Sequence, residues 1–158
     1  MLHQLTVQDV QNTFQVRSAL EGYCTFEITR QFQTVRAREL FHELERLLGC
    51  MREILEGSQS IEDFSYYDFQ FHIKIVHFLE NDQLSLIFDT FVYRMQRLAA
   101  LSLAHEGRMK ATYEEHAAIL DAMRSGDLSH IYEITLQHMN TPRDINLEDL
   151  TESEKSPR

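Results

Sequence analysis

Apolar residues recur at spacings of three and four along most of the chain, and this spacing predicts amphipathic helices. No segment alternates between apolar and polar residues with the period of two that a strand requires. We predict six helices: one from Thr6, then 34–56, from Ser60 to Leu79, 82–105, 109–124, and from Asp127 to Asn140. Because the connections between them are short, the fold class predicted is all-α, an antiparallel bundle of about six helices.

The first helix has a clear start signal. Thr6 stands three residues before Asp9, so its hydroxyl can cap the amide of Asp9. Leu5 and Val10 take the two positions of a hydrophobic staple. Both prolines of the chain fall near its end, at 142 and 157, so no proline interrupts the first 141 residues.

Length and composition indicate one helical domain. The 158 residues suffice for a single core, which we assign to residues 1–141, and the acidic stretch 142–158 is expected to be a disordered tail. The net charge of −10, with no cluster of lysines and arginines, argues against a nucleic-acid groove. No run approaches ~18 apolar residues, so we expect a cytoplasmic protein with no membrane partner.

Four chemically active residues lie on helix faces that otherwise point into the core. Asp68 and His72 are four residues apart on the third helix, within its apolar stripe. His116 and His138 occupy the apolar stripes of the fifth and sixth helices. Any one of these histidines alone is explained as a hydrogen-bonded core residue. Together, three imidazoles and a carboxylate on neighbouring helices indicate a site for a divalent transition metal.

Arg17 is a candidate for binding an anion beside that metal. Three neutral imidazoles, one carboxylate and a divalent cation leave one positive charge, and four protein ligands leave coordination positions open. A small carboxylate would fill an open position while the planar guanidinium of Arg17 holds it. The competing role for Arg17 is an ion pair with Glu21, one turn away, and both roles are compatible.

The sequence pattern is also compatible with two other functions. A metal with open positions can activate water, so a metal-dependent hydrolase-like enzyme is one alternative. We expect no enzyme, because no glutamate or further aspartate is evident near the four ligands as a general base. The other alternative is a metal-free structural dimerisation bundle in which the histidines are core residues.

Three segments resemble a known family. LTVQDVQNTFQVRSALEGY, YYDFQFHIKIVHFLENDQL, and YEEHAAILDAMRSGD followed by His138 are similar to the FCD domain, which is the effector-binding and oligomerisation domain of the FadR subgroup of GntR-type bacterial transcription regulators. The resemblance covers about residues 5–140. The ordered set Asp68, His72, His116 and His138 coincides with the family's metal-ligand positions, and Arg17 matches its first helix.

The resemblance implies a function for the chain. It implies an all-helical homodimer that binds a divalent metal, commonly zinc or nickel, with an organic acid completing the coordination; manganese or iron also suit these ligands. Family members carry a winged helix-turn-helix domain before this domain, and effector binding alters how the dimer presents it to DNA. Here the chain begins close to the first bundle helix, so we expect a sensor fragment of a longer regulator, or else a stand-alone module, that does not bind DNA alone.

Overall fold

The computed structural model describes residues 4–155 and shows six α-helices in that range. No β-strand occurs within those residues, so the predicted all-α bundle of six helices is confirmed. None of the helices described between residues 4 and 155 is long and apolar enough to cross a membrane. The helices are α1 (Val7–Arg30), α2 (Val35–Glu56), α3 (Ile61–His77), α4 (Asp82–Leu103), α5 (Arg108–Arg124) and α6 (Ile131–Lys155).

The start of α1 shows why the sequence forms a helix there. The Thr6 hydroxyl accepts a hydrogen bond from the amide of Asp9 at 3.0 Å, and the Asp9 carboxylate accepts one from the amide of Thr6 at 2.9 Å. These reciprocal bonds are the predicted capping box. Leu5 and Val10 are buried in one apolar cluster with Phe14, as the staple predicts.

The main core lies between the apolar faces of α1, α2, α3 and α5. Its fully buried members include Leu44, Met51, Phe64, Phe71 and Met123. Helix α2 packs against α3 and α5, whereas α1 packs chiefly against α6. Helix α3 also contacts α1 and α4. The side chains of Asp68 and His72 on α3 meet side chains of α1, α5 and α6 in the interior.

The turn before α6 differs from the prediction. The helix begins at Ile131 rather than Asp127, and Leu128, in the preceding turn, is 43% exposed. The chain reverses at Gly126, whose φ of 69° is in the left-handed region. A Cβ atom there would lie 2.6 Å from the ring of Phe32, so this position also requires the absence of a side chain.

The end of α6 is the largest difference from the prediction. The helix continues through Pro142 to Lys155 instead of ending at Asn140, so residues 142–155 are not a disordered tail. Residues 156–158 of the predicted tail, like residues 1–3, lie outside the described range. The buried Asn146 side chain donates to the carbonyl of Leu98 at 3.2 Å, and two leucines, Leu147 and Leu150, pack on the cluster around Leu5. This packing outweighs the helix hydrogen bond that Pro142 removes.

Truncation tests the role of this segment. A chain ending at Thr141 should lose about 2–4 kcal/mol of unfolding free energy, because Leu147 and Leu150 no longer cover their cluster. A chain ending at Leu150 is the control, since residues 151–155 are exposed and it should keep its stability. Urea denaturation followed by circular dichroism measures both. Equal midpoints for the two truncated chains would show that residues 142–150 contribute nothing.

Candidate metal centre

Three buried histidines from three helices meet at one point. The Nε2 atom of His72 on α3 lies 3.1 Å from Nε2 of His116 on α5 and 3.3 Å from Nε2 of His138 on α6. All three side chains are buried, with His116 fully inaccessible to solvent. One nitrogen from each ring lies within 4.8 Å of the others, a spacing that allows a single metal ion to contact all three.

Asp68 adds an oxygen to this cluster. It precedes His72 by one turn, and its Oδ1 atom lies 2.6 Å from Nε2 of His116 and 3.2 Å from Nε2 of His72. Burial alone would raise the pKa of Asp68, but the imidazoles of His116 and His72 outweigh burial and hold that pKa well below its usual value. The structure thus brings together the four residues that the sequence singled out as ligands.

The Nδ1 atom of each imidazole lies next to an oxygen atom that can accept a hydrogen bond. Nδ1 of His72 contacts the Glu21 carboxylate, and Nδ1 of His138 lies 2.7 Å from Oε1 of Glu115. His116 uses Nδ1 toward a backbone carbonyl, that of Thr112, at 2.7 Å. An acceptor at Nδ1 favours the tautomer whose lone pair is on Nε2. Histidines that bind metals in proteins are commonly oriented in this way.

Buried arginines anchor both of these carboxylates. Nε of Arg17 donates to Oε2 of Glu21 at 2.7 Å. Arg108 donates to both oxygens of Glu115, at 2.5 and 2.7 Å. Burial alone would raise the pKa of Glu21, but Arg17 and His72 outweigh it and lower that pKa to about 2. Burial would also raise the pKa of Glu115, and His138 and Arg108 lower it to about 2. Both glutamates therefore remain charged and fixed.

Glu115 contacts His138, so the expectation that no glutamate lies near the four ligands is wrong. It directly precedes His116 and follows Arg108 by seven residues, or two helical turns. That spacing places Arg108 and Glu115 on the same side of α5 and was the signal available in the sequence. Neither Glu115 nor Glu21 is placed as a base for a water at the Nε2 atoms, because each contacts an Nδ1 atom and is paired with an arginine.

The charges around the cluster favour a cation at its centre. Burial would lower the pKa of His72, but the carboxylates of Glu21 and Asp68 outweigh it and raise that pKa to about 9. Burial and the neighbouring His116 lower the pKa of His138 to about 3. Metal binding requires neutral imidazoles, so His72 must release its proton when a metal binds. The cluster then carries one net negative charge, from three carboxylates and two guanidinium groups: Asp68, Glu21, Glu115, Arg17 and Arg108. A divalent cation would reverse this sign to one net positive charge.

Two small cavities adjoin the cluster, and Arg17, Asp68 and His72 line both. The first, of about 30 Å³, extends toward Ser102 and Arg108. The second, of about 20 Å³, is bounded largely by apolar side chains: Phe69, Phe88 and Met95. Each has room for one or two water-sized groups. A larger surface groove between α1 and α6, of about 850 Å³, includes none of the four clustered residues.

This combination of fold and site defines a helical domain with a buried, histidine-rich binding centre. The family model of the FCD domain matches residues 12–141, and the chain belongs to the FCD domain family. FCD domains are regulatory ligand-sensing domains of transcription regulators rather than enzymes. The bundle is therefore a sensing domain.

A solved structure shares this fold. It is the metal-free FCD domain of TM0439, a proposed transcriptional regulator, and it superposes with a TM-score of 0.76 at 15% sequence identity. The similarity covers 94% of this chain and 99% of that one. None of the curated protein sequences compared matches this chain significantly.

Proposed function

We propose that this chain is the effector-sensing domain of a cytoplasmic GntR-type regulator of the FadR subgroup. In this proposal a divalent metal binds Asp68, His72, His116 and His138, and a small carboxylate completes the coordination. The bound acid controls DNA binding by a winged helix-turn-helix domain of the same regulator. The observation that carries the proposal is the convergence of three buried Nε2 atoms and Asp68 Oδ1 from three helices.

The donor set supports zinc or nickel. Three imidazole nitrogens and one carboxylate oxygen suit borderline divalent ions, and calcium or magnesium would prefer oxygen ligands throughout. Manganese and iron also accept this set, so the native ion depends on availability as well as on the ligands. When bound, the metal supplies a Lewis-acidic position for an anion. The protein supplies the orientation of each imidazole through the acceptors at its Nδ1 atom.

Arg17 is the residue we assign to the carboxylate. Its guanidinium lines both cavities while Nε and Nη2 face Glu21, at 2.7 and 3.5 Å. The remaining nitrogen, Nη1, is not used in these two bonds and is the donor we assign to an anion. The ion pair with Glu21 and the contact with an acid are thus compatible. Pairing also preorganises the guanidinium.

A homodimer is part of the proposal, and α4 supports it. Several large apolar side chains of this helix are exposed on its surface: Leu86, Ile87, Tyr93 and Leu101. Exposed apolar groups on one helix are typical of a surface that another protein covers. Sedimentation that shows only monomer at micromolar concentration would contradict this part.

Elemental analysis is the experiment that tests the proposal. We expect about one equivalent of zinc, nickel, manganese or iron per chain in untagged protein, lost on chelation. With the metal restored, small carboxylic acids should raise the melting temperature, because a ligand that binds only the folded state stabilises it. Absence of metal, with no thermal shift on adding any of these ions, would support the metal-free structural bundle instead.

A further inference from the structure

We infer that α4 pairs antiparallel with α4 of a second copy of this chain, with Tyr93 at the two-fold axis. Two ion pairs, each between Asp89 of one copy and Arg97 of the other, fix the register of this contact. The inference rests on the proposed function, which includes a homodimer, and assigns the residues that meet in it.

The side of α4 that faces away from the interior carries exposed apolar residues. Phe88, Met95 and Leu98 are the buried residues in the middle of the helix. On the opposite side, Leu86 and Tyr93 are 68% and 60% exposed. These two residues are seven apart, or nearly two helical turns, so they stand in one line along the helix. Such a line is typical of a surface that another helix covers.

Asp89 and Arg97 stand symmetrically about Tyr93 on this outer side. Asp89 precedes Tyr93 by four residues and Arg97 follows it by four, so each lies about one turn away. Asp89 is exposed and Arg97 is half-buried. Arg97 also lines a surface groove of about 420 Å³ together with Thr90 and Tyr93. The outer side of α4 thus carries opposite charges at equal distances from its centre.

A two-fold axis at Tyr93 makes this charge pattern complementary to itself. In a two-fold dimer, the contact between two residues occurs twice with the roles of the copies exchanged. When the helices run antiparallel, residues equally far before and after Tyr93 lie at the same level, so Asp89 meets the partner's Arg97 at two places. Leu86 comes within about 1.5 Å, along the helix axis, of the level of the partner's Leu101. Leu101 is 50% exposed, so apolar contacts flank both ion pairs.

The same residues disfavour parallel pairing of the two helices. A parallel pair in register would place Asp89 against Asp89 and Arg97 against Arg97. Like charges that face each other across an interface oppose association, whereas complementary charges favour one register and one partner. The pattern therefore fits a second copy in the antiparallel orientation.

Charge reversal followed by sedimentation of the full chain tests the ion pairs. We expect the unaltered chain to be a dimer at micromolar concentration. Asp89→Arg and Arg97→Asp should each raise the dimer dissociation constant about 10- to 100-fold, because each variant places like charges opposite each other twice. An equimolar mixture of the two variants should dimerise again, since opposite charges then face each other. Glu39→Arg is the matched control, because Glu39 is exposed on α2, which packs against α3 and α5.

Cysteine cross-linking tests the register independently. In a Cys50→Ser background, Tyr93→Cys should form a disulfide-linked dimer under mild oxidation, because the two introduced thiols meet at the axis. Cys24 is buried and is not available for cross-linking. Leu86→Cys is the control, since the two copies of position 86 lie about 21 Å apart along antiparallel helices, too far for a disulfide.

The outcomes separate this inference from the proposed function. An unaltered chain that is only monomeric contradicts both the proposed homodimer and the inference, and it leaves this face of α4 to a different protein domain. A dimer that withstands both charge reversals, or variants that do not associate when mixed, overturn the inference alone. Cross-linking at position 86 as well as at 93 would indicate parallel pairing and also overturns it. Elemental analysis measures the metal site independently of all these results.

Discussion

Replacing Asp68 and His116 together with alanine should remove the metal from the protein while leaving it helical. The ligand atoms of these two residues lie 2.6 Å apart, and both are close to Nε2 of His72. Their loss leaves only two imidazoles, His72 and His138, which is fewer than the three protein ligands that catalytic zinc sites keep. Metal content should fall from about one equivalent to near zero, and binding of carboxylic acids should disappear with it.

Elemental analysis measures the metal content of the variant, and far-ultraviolet circular dichroism of the same sample measures its helicity. The matched control is His105→Ala with Asp149→Ala, which removes an aspartate–histidine pair of similar length, 2.9 Å, from the surface. His105 is 46% exposed, and the control should keep its full metal content. Retention of one equivalent in Asp68→Ala/His116→Ala would show that the metal binds elsewhere. If the variant still bound carboxylic acids without metal, the acid would not be coordinated by the metal.

Glu21→Leu should reduce the unfolding free energy by about 3–5 kcal/mol, because it leaves the Arg17 charge buried without its partner. The Arg17 and Glu21 side chains are only 10% and 1% exposed. The double variant Arg17→Leu/Glu21→Leu removes both charges and should recover much of that loss. Glu43→Leu is the control, because the ion pairs of Glu43 with Arg46 and Lys74 lie at the surface and their loss should leave the unfolding free energy nearly unchanged.

Metal affinity shows whether Glu21 positions His72 in addition to stabilising the fold. Glu21 contacts Nδ1 of His72, so the single and the double variant both lose the acceptor that orients this ring. We expect their metal affinity to fall about 10- to 100-fold, even where the double variant regains stability. Competition with a chromogenic chelator measures the affinity, and denaturant titration measures the stability. If affinity recovers together with stability, Glu21 stabilises the fold only and does not orient His72.

The four clustered residues were predictable because helical periodicity fixes which side chains share a face. Asp68 and His72 follow each other by one turn, and His116 and His138 stand in stripes of apolar residues, so burial of those stripes brings all four inward. Periodicity does not specify how neighbouring helices are rotated or spaced. The contact between Glu115 and His138 joins α5 to α6 and depends on that spacing, so it emerged only from the structure.

The end of α6 was not predictable from local signals. Proline inside a helix and an acidic, polar composition both favour termination, and each is visible in the sequence after Asn140. The competing effect is tertiary. Asn146 is buried against the Leu98 carbonyl, and Leu147 and Leu150 pack on the cluster around Leu5. These contacts with residues distant in the sequence stabilise the second half of α6. Helical stability in proteins commonly comes from such packing rather than from propensity.

Helix α6 connects the buried cluster to the packing around the start of α1. Its first half carries His138, and its second half carries Leu147 and Leu150 against Leu5 and Val10. Pro142 stands one turn after His138 and lacks the amide that would complete the helix ladder, so α6 bends most readily at this point. The weakest point of the α6 hydrogen-bond ladder therefore lies between the candidate metal centre and the packing of α6 against the start of α1.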